Sequence, residues 1–313
     1  MNGPVVVLGG TGFVGRRLVA TLVGRGLRVR VPSRNPNLHR DLRLLPGVEV
    51  PGVDPYSTAG LDAAFAGAGA VVNLIGILNE RGYSGKGFQK AHVDLTRDVI
   101  AASRRAGVQR LVQMSALRAG EGESHYLRTR GEAETLVRQS GLAWTIVRPS
   151  VVFGRGDGLY TRFARLLRLL PMLPLARAQA KFAPVFVDDV AEAITRCLLQ
   201  PPTAGETFEL FGPEVMSLRR IVEDTARWTG RRRWIIGLPD ALGWLQAQFG
   251  DLLPGKPISS DNFRSLKLDS VGTRDGLAVL GIVPTPVAAI VPDLLAGGRH
   301  QSRLDRCRGD TLR

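Results

Sequence analysis

Three glycines near the start of the chain have the spacing of a phosphate-binding turn. Gly9, Gly12 and Gly15 follow the apolar run Val5–Leu8 and precede an amphipathic stretch at residues 13–23. With this spacing the first glycine forms a tight turn, the second admits a pyrophosphate, and the third lets the helix pack closely on the sheet. The N–H groups and positive dipole end of the helix would bind the anion. We therefore predict a dinucleotide site that includes Gly9, Gly10, Thr11, Gly12, Phe13, Val14 and Gly15.

The end of the second predicted strand indicates which dinucleotide binds. An NAD site normally has a carboxylate about 20 residues after the glycines, which accepts from the ribose 2′-hydroxyl. Here Ser33 and Arg34 stand at that place, and the first carboxylate of the chain is Asp41. Because a guanidinium pairs strongly with a 2′-phosphate, we predict NADP(H), with NAD(H) as the alternative. The other interpretation of Arg34 is a solvated loop arginine in a chain rich in arginine.

Later strand ends supply further predicted cofactor contacts. Asp54 ends the third predicted strand, where the adenine would lie, and residues at the end of the fourth would run beside the central ribose and phosphates. The remaining assignments come from the fourth, fifth and sixth strands and the helix that follows the fifth. They are Asn73, Leu74, Ile75, Gly76, Ser115, Tyr126, Arg130, Pro149 and Val151.

The elements that would position these residues alternate between apolar strands and helical segments. The strands are predicted at residues 5–8, 28–31, 48–53, 71–75, 110–114 and 144–147. Strands of this kind, separated by helices, predict a parallel sheet covered on both faces. The predicted fold class is therefore α/β, a doubly wound parallel sheet of the Rossmann type with a smaller, mixed C-terminal domain of the substrate-binding type.

The pattern changes after Pro149. We predict a loop at residues 154–158, a basic helix at 159–170, and a strand at 183–187 that returns to the sheet. Asp188 would cap a helix at 189–199. The Rossmann domain is thus expected at residues 1–153 plus about 183–200, and the smaller domain at 154–182 plus 201–298. Residues 299–313 are basic and are predicted to form a disordered tail.

Composition excludes several classes of protein. The chain has 313 residues, of which 44% are hydrophobic, so global disorder is excluded. No apolar run approaches the roughly 20 residues of a spanning helix, and no basic leader precedes Val5, so we expect a cytoplasmic protein. Two cysteines and four scattered histidines predict no metal site. The formal charge of +14 leaves anionic cofactors and lipids open, whereas specific nucleic-acid binding is not predicted, because no recognition motif accompanies the charge.

Several segments carry a resemblance to a known family. Residues 9–15, 71–76, 113–117, 126–132 and 147–154 resemble the extended or atypical short-chain dehydrogenase/reductase superfamily, which includes the NAD-dependent epimerases and dehydratases. More narrowly, residues 4–270 are similar to the nucleotide-binding accessory subunits of respiratory complex I and their bacterial relatives. That resemblance implies tightly held NADPH and a structural or assembly role. It also implies a membrane-associated respiratory or quinone-biosynthesis complex as partner, on the inner face of the membrane.

The resemblance also indicates which residues would carry chemistry. The superfamily uses a tyrosine, a lysine four residues later and a serine or threonine hydroxyl. Here Tyr126 is followed by Arg130, Ser115 aligns with the first residue of the serine run, and Leu117 stands where the hydroxyl usually lies. Arginine does not replace lysine freely, so we expect weak or no turnover. The alternatives are an NADP(H)-dependent oxidoreductase or nucleotide-sugar epimerase/dehydratase that uses Tyr126, and a redox sensor whose nucleotide occupancy alters a partner contact.

The predicted basic helix could meet a partner. Arg162, Arg165 and Arg168 would gather on one side of residues 159–170, which is typical of a helix on an anionic membrane surface. The alternative is an ordinary helix that packs its apolar side onto the domain. Residues 241–249 form a second amphipathic candidate, and Arg231, Arg232 and Arg233 precede Trp234.

Overall fold

The computed structural model describes residues 3–80, 82–253, 256 and 258–296. The predicted tail at 299–313 lies outside the described residues. The strands are β1 (Val5–Leu8), β2 (Val29–Arg30), β3 (Val48–Glu49), β4 (Ala70–Asn73), β5 (Arg110–Met114), β6 (Ala143–Pro149), β7 (Val152–Phe153), β8 (Met172–Leu175), β9 (Lys181–Phe182), β10 (Val185–Phe186), β11 (Glu206–Leu210), β12 (Met216–Ser217) and β13 (Trp234–Gly237).

The helices connect these strands. They are α1 (Phe13–Gly24), α2 (Thr58–Phe65), α3 (Lys86–Phe88), α4 (Leu95–Arg105), α5 (His125–Arg138), α6 (Tyr160–Leu169), α7 (Val187–Leu199), α8 (Leu218–Trp228), α9 (Asp240–Leu252), α10 (Ser260–Ser265) and α11 (Gly276–Val279). A π-helical segment, Gln89–Asp94, joins α3 to α4, and short 3-10 turns lie at Pro36–His39, Leu42–Leu44 and Pro201–Thr203.

Seven strands form one parallel sheet in the order β11-β6-β5-β4-β1-β2-β3. The direction of winding changes between β1 and β4, and in open parallel sheets a ligand crevice forms at such a switch point. All residues of β1 and β4 are buried, as their continuous apolar composition predicts. One core lies between the sheet and helices α1 and α7, and a second lies between the sheet and helices α2, α4 and α5. The predicted doubly wound α/β fold is confirmed.

Three two-stranded sheets lie outside the main sheet. Strands β7 and β10 pair in parallel, as do β8 and β13, whereas β9 and β12 are antiparallel. A separate apolar core joins α6, α8, β8 and β13 through Leu167, Val222, Leu173 and Ile235. Strands β8, β9, β12 and β13 lie in the range expected for the smaller, mixed part of the molecule, whereas β7 and β10 lie in the range expected for the Rossmann domain. The division of the chain into two domains stays a prediction.

Two predictions about the returning chain were wrong. The strand expected at 183–187 does not rejoin the main sheet, because Val185–Phe186 pairs with Val152–Phe153. The place beside β6 is taken by β11, which pairs with it over five residues although it lies within the range expected for the smaller domain. Asp188 is also not an N-cap: α7 already begins at Val187, and the Asp188 carboxylate binds Arg17 of α1 instead.

Candidate functional site

The turn after β1 has the geometry that its glycine spacing requires. Gly9 adopts a φ of +76°, a conformation that side-chain-bearing residues rarely adopt. The N–H of Gly10 donates to the Val7 carbonyl at 3.2 Å, and the N–H of Gly12 donates to the Gly9 carbonyl at 3.0 Å. A methyl group on Gly15 would collide with the Gly9 carbonyl oxygen and with the Gly10 backbone. The first and third glycines therefore allow the strand, turn and helix to meet.

The N-terminus of α1 is left without a side-chain cap. Gly12 is the N-cap residue and is exposed, and the first turn of α1 contains no acidic residue. The N–H groups of a first helical turn have no acceptors within the helix. They point out of the turn together with the positive end of the helix dipole. This part of the structure fits the diphosphate of a dinucleotide.

The end of β2 presents an uncompensated positive charge. Ser33 continues the ladder towards β3, because its N–H donates to Pro51 and its carbonyl accepts from Val53, both at 3.1 Å. Arg34 follows and is exposed, with no hydrogen bond or ion pair to any residue that the structure describes. Burial raises the pKa of the Tyr56 hydroxyl, and the charge of Arg34 opposes that rise. Arg34 is thus available to an anionic ligand beside Tyr56.

Asp54 has a local structural task. Its Oδ1 atom accepts from the N–H of Tyr56 at 3.1 Å, and its carbonyl accepts from the Ser57 hydroxyl at 3.0 Å. These bonds shape the turn that leads into α2. The contact predicted between Asp54 and an adenine stays a prediction.

Arg16 is a residue of this region that the sequence analysis did not single out. From α1 its guanidinium reaches the Asp41 carboxylate and also the Nδ1 atom of His39 at 3.1 Å, while Nε donates to the Thr11 carbonyl at 2.9 Å. Arg16 therefore fastens the segment that follows Arg34 to the glycine-rich turn. No local pattern indicates the contacts of Arg16 with His39 and Asp41, because these two partners lie more than twenty residues away.

The end of β4 is held by a buried amide. Asn73 is fully buried, its Nδ2 donates to Gln113 Oε1 at 3.1 Å, and its Oδ1 accepts from the N–H of Ile75 at 3.2 Å. The side chain of Asn73 thus sets the path of the following residues. Leu74 and Ile75 are half-buried, and Gly76 is exposed.

Arg130 joins the ends of β4 and β5. Its Nη1 donates to the Met114 carbonyl at 2.8 Å, and its guanidinium carbon lies 5.6 Å from the centroid of the Tyr126 ring. Its Nη2 lies so close to Gly76 that a methyl group there would collide with it. The Arg130 side chain is buried, and its Nε has no hydrogen-bond partner among the described residues. The structure thus brings Tyr126, Arg130 and the two strand ends together.

The other predicted catalytic residue, Ser115, is buried, and its hydroxyl has no partner in the described part of the chain. Its N–H donates to Val147 at 2.8 Å, which extends β5 alongside β6. Leu117 is buried as well, and its N–H donates to the Pro149 carbonyl at 3.1 Å. Val151 is half-buried, and its carbonyl accepts from Val185 at 3.0 Å.

The buried His92 ring packs against the ring of Tyr126. Its Nε2 accepts from the N–H of Ile77 at 3.2 Å, so its neutral ring donates from Nδ1 to the Thr129 hydroxyl at 2.9 Å. The rings of His92 and Tyr126 meet edge to face, with centroids 5.6 Å apart. Burial, and after it the charge of Arg130, lower the pKa of His92 to about 2. His92 is therefore a neutral structural support at physiological pH.

Asp261 caps the helix that carries Tyr126. Its carboxylate accepts from the N–H of His125 at 2.7 Å and from the N–H of Tyr126 at 3.1 Å, while the Ser124 hydroxyl accepts from Leu127 at 3.1 Å. Neither Asp261 nor His92 is a residue that the sequence predicts for this site. Asp261 lies 135 residues from Tyr126, and only the fold brings the two together.

These features fit a dinucleotide that lies in the crevice between the ends of β1 and β4. The bare end of α1 would hold the diphosphate, and the polar atoms of Arg130 and Ser115 that have no partner among the described residues lie at the ends of the central strands. Within residues 3–80, 82–253, 256 and 258–296, no three His, Cys, Asp or Glu side chains are grouped to hold a metal ion. None of the helices in those ranges has the length and apolarity needed to cross a bilayer.

Comparison with known proteins agrees with this geometry. A family model described as NAD(P)H-binding matches residues 9–201. The mouse mitochondrial NADH dehydrogenase [ubiquinone] 1 alpha subcomplex subunit 9 is 32% identical over 295 residues, which cover 90% of this chain and 76% of that protein. The Dictyostelium discoideum protein of the same name is 30% identical over 232 residues, or 71% of this chain and 64% of its own length. The ceramide reductase of Caulobacter vibrioides is 30% identical over 250 residues, covering 76% of this chain and 74% of that protein.

Solved structures share the fold. A dTDP-glucose 4,6-dehydratase of Streptomyces venezuelae with NAD bound has a TM-score of 0.76 and 18% identity, covering 95% of this chain and 97% of that one. The NADPH-dependent quinone oxidoreductase of Escherichia coli, complexed with NADPH, has a TM-score of 0.75 and 21% identity, covering 93% and 99%. The chain belongs to the NAD(P)H-binding family and is related to the mitochondrial NADH dehydrogenase [ubiquinone] 1 alpha subcomplex subunit 9.

Proposed function

We propose that this protein binds NADP(H) in preference to NAD(H) and holds it as a structural ligand, with little or no turnover. Its role would be structural, assembly-related or redox-sensing, on a membrane-associated respiratory or quinone-biosynthesis complex at the cytoplasmic face of the membrane. The names of the complex I relatives support the kind of partner. In a redox-sensing role, the fraction of sites that hold the nucleotide would be the signal.

The observation that carries the proposal is the environment of Arg130. A catalytic tyrosine of this superfamily must lose its proton readily, and lowering a phenol pKa from about 10 to near 7 takes roughly 4 kcal/mol. Here the lysine is replaced by an arginine whose guanidinium already donates to the Met114 carbonyl and packs against Gly76. At the expected hydroxyl position stands the buried, apolar Leu117. The remaining donors of Arg130 suit the holding of a ribose better than proton transfer.

The preference for NADP(H) rests on Arg34. The side chain is exposed and has no ion-pair partner among the described residues, so a 2′-phosphate would gain a charge-assisted hydrogen bond without displacing an existing one. An NAD-specific site would require a carboxylate at this strand end, and none stands there.

Release of the bound nucleotide from purified protein tests the proposal directly. We expect stoichiometric NADPH that survives dialysis and is not oxidised when carbonyl substrates or quinones are added. In Arg34→Ser, the affinity for NADPH should fall by about tenfold or more and the affinity for NADH should not change. Arg40→Ser, which removes a nearby exposed guanidinium, should leave both affinities unchanged. Equal loss of both nucleotides in Arg34→Ser would contradict the assignment of the phosphate.

A reductase is the second candidate. The ceramide reductase relative favours it, as does the position of the Tyr126 ring against Arg130. Turnover of a carbonyl substrate that is abolished in Tyr126→Phe and kept in Tyr83→Phe, a change at an exposed tyrosine, would establish this second function and overturn the first.

A further inference from the structure

The small sheet formed by β8 and β13 has an apolar outer face. Trp234 pairs with Met172, and Ile236 pairs with Pro174. Side chains alternate between the two faces of a strand, so these four point away from the domain. All four are exposed, and the relative accessibility of Trp234 is 76%. The intervening residues point inwards and form part of the core, namely Leu173, Leu175 and Ile235.

Helix α9 extends this face. Leu242, Leu245, Phe249 and Leu252 fall within an arc of about 80° around the helix, and all are exposed. Gln246 fixes the helix beside β8, because its Oε1 accepts from Ala176 at 3.1 Å and its Nε2 donates to Pro174 at 2.9 Å. The opposite side of α9 packs on the domain through small buried residues, Gly243, Ala247 and Gly250.

We define the apolar face as Met172, Trp234, Ile236, Leu242, Leu245 and Phe249. Large apolar side chains that cluster at the surface of a soluble fold mark an interaction site. A tryptophan among them is typical of a membrane interface, where one part of the indole is buried and its N–H stays hydrated.

The charge around the apolar face is strongly positive. The two segments that build it, residues 159–178 and 231–256, contain eight arginines and lysines and two aspartates. Both aspartates are already paired, Asp240 with Arg177 at 3.0 Å and Asp251 with Lys256 at 3.7 Å. An apolar centre with a basic surround is complementary to a bilayer that contains anionic lipids.

The basic helix predicted from the sequence contributes charge to this surface. In α6, Tyr160 and Leu167 are buried, and Phe163 and Leu166 pack against the same core. The apolar side of α6 thus faces the domain, as the alternative interpretation of that helix expected. Arg165 and Arg168 stay exposed at its outer side, and the chain then leads through Leu169 and Leu170 into β8.

We propose that the apolar face docks on the surface of an anionic lipid bilayer. Trp234 and Phe249 enter the boundary between headgroups and acyl chains, and Arg165, Arg168 and Arg232 meet the lipid phosphates. This inference deepens the membrane association proposed above, and it does not depend on bound NADP(H). Failure of nucleotide binding and failure of lipid binding are therefore separate results.

Flotation of the protein with vesicles of phosphatidylglycerol and phosphatidylethanolamine tests the proposal. We expect binding that weakens as salt is raised and that is absent with phosphatidylcholine alone. The double variant Trp234→Glu/Phe249→Glu should lower the partition coefficient by at least about tenfold. Arg165→Ser/Arg168→Ser should lower it less and reduce the salt dependence. Tryptophan fluorescence should shift to the blue on binding, and Trp234→Phe should bind but lose most of that shift.

A matched control distinguishes vesicle binding through the apolar face from nonspecific binding through other exposed apolar side chains. Leu38 and Leu44 are 75% and 84% exposed beside the predicted nucleotide cleft, and Leu38→Glu/Leu44→Glu should bind vesicles as the parent protein does. The proposal is overturned by parent protein that does not float, or by binding that survives Trp234→Glu/Phe249→Glu. The proposal is also overturned if the double variant dissociates a dimer or a protein complex but still binds vesicles.

Discussion

Helices α1 and α5 begin in opposite ways. The α1 helix starts at Gly12 with no side-chain cap and no carboxylate in its first turn. The α5 helix starts with its first three N–H groups bound, one by Ser124 and two by Asp261 from a distant part of the chain. The uncapped end keeps its donors for a ligand, whereas the capped end fixes the residues that it carries. We propose that the cofactor completes the α1 end, whereas the protein itself completes the α5 end.

The largest effect is expected at Gly15, where the first turn of α1 contacts the glycine-rich turn after β1. In Gly15→Ala the new methyl group meets the Gly9 carbonyl, a backbone atom that cannot move without opening the turn. The free energy of unfolding should fall by about 3 kcal/mol, and nucleotide binding should be lost. Chemical denaturation measures the first effect and calorimetric titration the second. Gly24→Ala, in the same helix but with open space around it, should be neutral or stabilising by up to about 1 kcal/mol.

Removal of the distant cap tests the other helix. Asp261→Ala leaves the N–H groups of His125 and Tyr126 without acceptors and should lower the free energy of unfolding by about 3 kcal/mol. Asp261→Asn keeps one acceptor and should cost about 1 kcal/mol. Asp240→Ala, which breaks an ion pair between an exposed carboxylate and the half-buried Arg177, should cost about 0.5 kcal/mol. Faster hydrogen exchange at the first turn of α5 should accompany only the Asp261 variants; equal exchange in all three would refute the capping role.

The support behind Tyr126 predicts a pH dependence. The folded protein keeps His92 neutral, with its pKa lowered to about 2, whereas the ring takes up a proton in the unfolded chain below its ordinary pKa of 6.5. The stability contributed by His92 is therefore fully present above pH 6.5 and is lost as the pH falls, by about 2 kcal/mol at pH 5. His92→Asn should remove this part of the slope between pH 6.5 and 5. An unchanged slope would show that another group is responsible.

The smallest change in stability is expected from a substitution that gives α1 a side-chain cap. Gly12→Ser should raise the free energy of unfolding by about 0.5 kcal/mol, because the hydroxyl can accept from the first turn. Gly12→Asp adds a negative charge at the same place and should weaken NADPH binding well beyond the serine variant. Thermal unfolding with and without NADPH measures both effects. Equal affinities in the two variants would contradict a diphosphate at this helix end.

Local patterns predicted much of the main sheet. The bounds of β1 and β5 agree with the expectation, because continuous apolar runs between turn residues specify a buried strand by themselves. The order of strands beside β6 was not predictable in this way. Residues 183–187 are apolar, whereas residues 207–210 alternate between polar and apolar side chains. Neither short pattern shows by itself which segment has a partner in the main sheet.

In the candidate site, too, features that follow from local spacing were predictable, and contacts between residues far apart in the sequence were not. The pairing of Tyr126 with Arg130 follows from helical spacing, and the turn at Gly9 follows from glycine spacing. His92, Asp261 and Arg16 act through partners far away in the sequence, and their own neighbours in the chain carry no signal of it. The contact predicted between Asn73 and a cofactor stays a prediction, and the hydrogen bond from its amide to Gln113 had no local signal in the sequence.

The late position of β11 has a consequence for synthesis on the ribosome. Strand β6 ends at Pro149, and the strand that covers its outer edge is complete only at Leu210. For the several seconds in which these residues are translated, the nascent chain presents a row of unpaired backbone groups on an apolar strand. That interval is when a second nascent chain can add to the edge, so aggregation should be governed by the speed of translation across this interval and by chaperones that act on it.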